Sequence, residues 1–114
     1  MTMTVSTRWA SVCRLDDLQP ERGAAAIFGD LQVAVFRLYG DTVHAIGNRD
    51  PLSGACVLSR GIVGTRGDRT VVVSPMHKQA FDVDTGACLD VPGVSVPVFP
   101  ARVRDGLVEV AVGG

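Results

Sequence analysis

Two short stretches carry the side chains best suited to chemistry: Asn48-Arg49-Asp50, and downstream Ser74-Pro75-Met76-His77. Asp50 can offer a carboxylate to a cation and His77 an imidazole. Asn48 is a neutral amide, and the Ser74 alcohol is too weakly acidic to replace a thiolate as a soft donor. One O and one N ligand fall short of the four donors zinc prefers and the six or more that calcium takes. No metal ligand is therefore expected. Cys13, Cys56 and Cys88 show no C-x-x-C pairing. Free cysteine behaves mostly as a small hydrophobe, so all three are expected in core or semi-buried places. His44 falls in a strand pattern and reads as structural. Asp82, Asp84 and Asp90 lack calcium-loop spacing and read as turn formers. No dinucleotide fingerprint, Walker loop or G-x-S-x-G elbow occurs. Cys88 has no nearby His to activate it. No catalytic residue is expected, and the chain alone should show no catalysis.

The elements that must position these stretches are short strands separated by Gly, Pro and Asp turns. Strands are expected at Trp9–Val12, Ala24–Phe28, Gln32–Leu38 and Thr42–Ile46, with a short helical turn or loop from Leu15 to Glu21. Gly29-Asp30 and Tyr39-Gly40-Asp41 mark the turns between them. The stretch from Gly47 to Arg69 reads as one long loop, ordered by its Val57-Leu58 and Ile62-Val63 pairs. Long loops in compact domains are usually functional or disordered. Thr70–Val73 and Phe81–Val83 are expected strands. The segment from Val91 to Pro100 holds three prolines and cannot be a central strand. Ala101–Val103 and Leu107–Val112 should close the chain as a hairpin. No long amphipathic helix and no internal repeat is apparent. Regularly spaced short strands predict an all-β sandwich or small barrel.

The 114 residues fit one domain, taken as 1–114 with residues 1–7 expected to be flexible. A net charge of −1 and the lack of any basic run exclude an electrostatic grip on nucleic acid or anionic lipid. No apolar stretch approaches the roughly 20 residues of a spanning helix. The Thr-rich N-terminus lacks signal-peptide features. A cytoplasmic location is expected, with the cysteines kept reduced there.

The segments Asp50-Pro51-Leu52-Ser53-Gly54-Ala55, Val57-Leu58-Ser59-Arg60-Gly61-Ile62-Val63-Gly64 and Ser74-Pro75-Met76-His77-Lys78-Gln79-Ala80-Phe81-Asp82 carry a resemblance, continued by Thr85-Gly86-Ala87-Cys88-Leu89-Asp90. Their order and spacing resemble the small-subunit family of assimilatory NAD(P)H-dependent nitrite reductases, which has a Rieske-like fold. A Rieske centre takes its [2Fe–2S] ligands from a C-x-H and a later C-x-x-H motif. The corresponding positions here are Asn48, Asp50, Ser74 and His77, and only His77 keeps a suitable residue.

The resemblance implies an all-β, Rieske-like sandwich with two long tip loops and a degenerate cluster site. It further implies a non-catalytic subunit without a prosthetic group of its own. Its partner would be a large subunit bearing siroheme, FAD, an iron–sulfur cluster and the NAD(P)H site, which reduces nitrite to ammonium in nitrate assimilation. Arg49, Leu52, Ile62, Met76 and Lys78 are the candidate partner contacts, because exposed apolar loop residues mark such surfaces. Polar pairs between the loops should replace the cluster as a staple, Asp50 with His77 or Lys78 among them. Two other readings stay open: a Rieske-type, ferredoxin-like electron carrier with an altered site, and a free-standing binding module on the same fold.

Overall fold

The computed structural model describes residues 8–76 and 78–112, with Arg8 and Tyr39 described by backbone alone. The expected flexibility of residues 1–7 lies outside the described residues. Among the described residues ten strands form three antiparallel sheets: β1 (Arg8–Arg14), β2 (Gly23–Phe28), β3 (Leu31–Arg37), β4 (Val43–Gly47), β5 (Ile62–Arg66), β6 (Arg69–Val73), β7 (Ala80–Asp82), β8 (Val98–Phe99), β9 (Ala101–Arg104) and β10 (Leu107–Val112). The central sheet runs β2-β3-β4-β8, with β1-β10-β9 on one side and β5-β6-β7 on the other. The all-β architecture expected from the sequence is the one observed. Among the described residues no helix is long and apolar enough to cross a membrane.

Strand β3 explains the layering. Val33, Ala34, Val35 and Phe36 are all fully buried, although successive side chains of a strand face opposite ways. Val33 and Val35 join Leu18, Val43, Ala45, Val108 and Val110 in one core, between the central sheet and β1-β10-β9. Ala34 and Phe36 join Ile46, Leu58, Val72, Phe81 and Val83 in a second core, beneath β5-β6-β7. A strand covered on both faces must be apolar at every position, which is why this run does not alternate. Each fully buried Phe or Val adds about 1.5–3 kcal/mol to the drive for folding.

Three tight hairpins set the registers. Gly29-Asp30 and Gly67-Asp68 each place a glycine at positive φ, +63° and +62°, at the first central position. In Asp105-Gly106 both residues are at positive φ, as a type I′ turn requires. The second of these turns corrects the expected long loop, because residues 62–66 form β5, paired in register with β6 from Ile62↔Val73 to Arg66↔Arg69. β5 is a half-exposed edge strand, and Gly64, Thr65 and Arg66 break its apolar pattern. Its order comes from the ladder to β6, which leaves no periodicity in the sequence. The proline-rich segment from Val91 to Pro100 contributes only the two-residue strand β8, at the sheet's edge, as three prolines without an N–H donor dictate.

Candidate functional site

The two loops that begin at Asn48 and Ser74 leave the ends of β4 and β6. They meet through polar side chains buried as deeply as the core. Asn48, Asp50 and Ser74 are 1%, 0% and 0% exposed. The Asn48 amide donates to Gln32 Oε1 at 3.1 Å and to the Cys56 carbonyl at 3.4 Å, and its oxygen accepts the Ser59 N–H at 2.8 Å. Asp50 Oδ1 accepts the N–H groups of Leu52 and Ser53 at 2.8 and 3.3 Å. Its other oxygen accepts the Ser74 hydroxyl at 2.5 Å, and Ser74 Oγ in turn accepts the Met76 N–H at 3.2 Å. The staple observed between the loops is therefore Asp50 with Ser74. His77 lies outside the described residues, and with it the expected pairing to Asp50.

Asp50 also initiates a turn, and the turn has a twin. In Asp50-Pro51-Leu52-Ser53-Gly54-Ala55 the Gly54 N–H reaches the Asp50 carbonyl at 2.7 Å and the Asp50 N–H reaches the Ala55 carbonyl at 2.8 Å. Ser53 Oγ accepts the Ala55 N–H at 3.2 Å. In Asp82-Val83-Asp84-Thr85-Gly86-Ala87 the same two backbone bonds measure 2.7 and 2.9 Å. Asp82 Oδ1 accepts from Asp84 and Thr85, and Thr85 Oγ1 accepts the Ala87 N–H at 3.2 Å. Gly54 and Gly86 sit at φ +80° and +79°. The chain thus holds a six-residue repeat, D-x-x-[S/T]-G-A, where sequence reading found none. The shared Asp, Gly and Ala were its visible signal. In each copy the second carboxylate oxygen reaches β6 or the loop after it: Asp50 to Ser74, and Asp82 to Arg69 at 2.5 Å.

Asp82 and Asp90 each accept from an arginine and from backbone N–H groups. Burial pulls the Asp82 carboxyl upward, but the Arg69 hydrogen bond and the N–H groups of Asp84 and Thr85 outweigh it and hold the group below its ordinary value. Asp90 is also held low, first by its hydrogen bond from Arg66 and then by the N–H of Ala80. A depressed carboxylate contributes stability in full above its unfolded value, near 3.8, and loses it as pH falls through the lower folded value. Urea denaturation midpoints should hold steady at weakly acidic pH and fall steeply below about pH 4. An Asp82→Asn, Asp90→Asn double variant should start lower and show a flatter acid limb.

The tip presents the expected contact residues unequally. Leu52 and Met76 are 38% and 51% exposed. Their N–H groups are held by Asp50 and Ser74, so one hydrogen-bonded pair fixes both apolar side chains at the rim. Arg49 and Lys78 are exposed beside them, neither in an ion pair among the described residues. Ile62, 73% exposed, begins β5 on the flank, in a groove with Arg22, Gly23, Ser59 and Arg60. Arg49, Leu52, Met76 and Lys78 thus lie on the two joined loops, and Ile62 on β5, opposite Val73. Cys56 differs from the semi-buried place expected of it. It is exposed, paired as an isolated bridge with Arg49, while Cys88 is buried and Cys13 half-buried.

This donor set does not fit an iron–sulfur cluster. Asn48 and Ser74 offer no thiolate; Asn48 is bonded to the Gln32 side chain and to backbone of Cys56 and Ser59, and Asp50 and Ser74 to each other and to backbone N–H groups. No three His, Cys, Asp or Glu side chains converge for a metal ion among the described residues.

Two tip loops on a three-layered β-scaffold are the architecture of a Rieske domain, and the chain belongs to the Rieske-like [2Fe–2S] domain family, whose model matches residues 8–111. Within it the chain groups with the small subunits of nitrite reductase. It is 42% identical over 104 residues to the nitrite reductase (NADH) small subunit of Escherichia coli K12, covering 90% of this chain and 96% of that one. A crystal structure from Mycobacterium tuberculosis, provisionally assigned as an NADH-dependent nitrite reductase small subunit, superposes with a TM-score of 0.90. It shares 54% identity, over 94% of this chain and 96% of that one. A Klebsiella oxytoca relative named as a nitrite reductase [NAD(P)H] large subunit is 38% identical over 105 residues, which span 92% of this chain and 11% of that protein.

Proposed function

We propose that this chain is the small subunit of a cytoplasmic, assimilatory NAD(P)H nitrite reductase, acting as one domain that docks on the large subunit and carries no cluster. The observation that carries the reading is the burial of Asn48, Asp50 and Ser74, each held by hydrogen bonds. Hydrogen-bonded polar groups at these positions, which the resemblance assigns to cluster ligands, support a domain without a cluster. In this reading siroheme, FAD, an iron–sulfur centre and NAD(P)H belong to the large subunit, which converts nitrite to ammonium. The Klebsiella relative supports the docking, since its large-subunit polypeptide contains a stretch equivalent to nearly this whole chain.

The rim of Leu52 and Met76 between Arg49 and Lys78 is the proposed contact. Apolar centres with a charged border are the usual anatomy of such patches. A tagged large subunit from nitrate-grown cells should retain this chain. A Met76→Asp, Lys78→Glu variant should weaken retention at least ~10-fold, since central interface positions each carry about 1–2 kcal/mol or more. Loss of wild-type retention would sink the docking reading. Metal analysis tests the other half. The purified chain should be colourless with negligible iron, whereas stoichiometric iron with visible absorption would restore the electron-carrier reading.

A further inference from the structure

Among the described residues the central sheet is open along one side, where β2 is the outermost strand and pairs with β3 alone. The Gly29-Asp30 turn closes on the pair Phe28 and Leu31, and hydrogen-bonded pairs alternate along an antiparallel ladder. Phe28, Ala26 and Ala24 therefore bond to β3, while Gly23, Ala25 and Ile27 turn their N–H and C=O groups outward. Ser59 packs over Gly23, where a Cβ would come within 2.6 Å of its carbonyl oxygen, so the open stretch begins at Ala25. No backbone group among the described residues bonds Ala25 or Ile27 from outside. Natural sheet edges are guarded by charges, prolines or bulges. The six residues of β2, Gly-Ala-Ala-Ala-Ile-Phe, contain no charge or proline, pair with β3 without a register shift, and expose Ile27 to 67%.

We propose that two copies of this chain pair antiparallel through β2, about a two-fold axis at Ala26, to form one eight-stranded sheet. Such an isologous contact needs a self-complementary edge, and the flanking charges supply it. Centring on Ala26 sets Ala25 of each copy opposite Ile27 of the other, so the outward groups of both residues are satisfied and a small side chain faces a large one. The same register sets Arg22 of each copy opposite Asp30 of the other. Both are exposed, and neither side chain has a partner among the described residues. Arg60 lines the groove that holds Arg22, adding a second cation where Asp30 arrives. Moving the axis to Ala25 or Ile27 would set Arg22 against Phe28 or Gln32 and lose the charge match.

The contact is small, so dissociation in the range of ~10 μM is expected. Sedimentation equilibrium of the full 114-residue chain tests it. Ile27→Lys should weaken the dimer about 100-fold or more by placing a charge on the shared edge, with an unchanged circular dichroism spectrum because Ile27 is exposed in the single copy. Arg22→Asp should weaken it about 10-fold, and the Arg22→Asp, Asp30→Arg double variant should recover to within about threefold of wild type. A monomer up to about 1 mM would overturn the proposal. So would a dimer indifferent to Ile27→Lys, or a charge swap that fails to recover. Retention on the large subunit is a separate readout, so either reading can fail alone.

Discussion

Gly86→Ala should leave this chain largely unfolded at 25 °C, whereas Gly54→Ala, at the same position of the twin turn, should leave it folded. Both glycines sit near φ +80°, where an L-residue costs roughly 1–2 kcal/mol. Their surroundings differ. A Cβ on Gly54 would meet only the Arg49 guanidinium, at 3.6 Å, the far end of a flexible side chain. A Cβ on Gly86 would lie 2.0 Å from the Val96 carbonyl oxygen and 3.0 Å from Val98 Cγ2. The Val96 N–H is bonded to the Gly86 carbonyl at 2.8 Å, so the two backbones cannot part without breaking that bond. Val96 is also buried in the core beneath β5-β6-β7, so relief would have to disturb that core. Overlap with fixed backbone, added to the strain, should exceed about 5 kcal/mol, the lower end of a typical domain's whole stability. Far-UV circular dichroism and urea denaturation separate the two cases. A cooperative, near-native Gly86→Ala transition would refute the close approach of residues 86 and 96.

That contrast shows what the sequence does and does not disclose. The hairpins at Gly29-Asp30 and Asp105-Gly106 are local, because the residues that permit positive φ are also the ones that form the turn. The doubly buried β3 is legible as an unbroken apolar run. β5 is not, because it is held mainly by the backbone ladder to β6 and only Val63 packs partly buried against the core. The tip is legible in part. The resemblance assigns Asn48, Asp50, Ser74 and His77 to cluster positions, and these residues include no thiolate. What Asp50 does instead depends on Ser74, 24 residues away, and no local rule joins them. The repeat that gives Asp50 its turn varies at three of its six residues, too short and degenerate to stand out. Cys56 was misplaced for a similar reason. A residue's identity says that it tolerates burial, while its place at the outer edge of the first tip loop decides whether it is buried.

Asp50→Ala should destabilise the chain by about 3 kcal/mol and weaken its hold on the large subunit as well. The substitution removes the acceptor of the Leu52 and Ser53 N–H groups and of the Ser74 hydroxyl. Bonds to a charged acceptor contribute about 1.5–3 kcal/mol each, offset here by relief of the cost of burying a carboxylate. Because the lost partners lie in both loops, Leu52 and Met76 should lose their common anchor and the rim its shape. Ser74→Ala should cost less, about 2 kcal/mol, since the Asp50 turn survives and only Oδ2 and the Met76 N–H lose their bond. If the two side chains act as one staple, the double variant should be destabilised little beyond Asp50→Ala, with a coupling of about 1–3 kcal/mol. Asp50→Asn refines the test. It keeps an acceptor for the turn but places an amide opposite a hydroxyl already accepting from Met76, so it should retain most of the stability and lose part of the coupling. Strict additivity of Asp50→Ala and Ser74→Ala in urea denaturation would mean that the loops stand independently, and the rim would then need another explanation for its order.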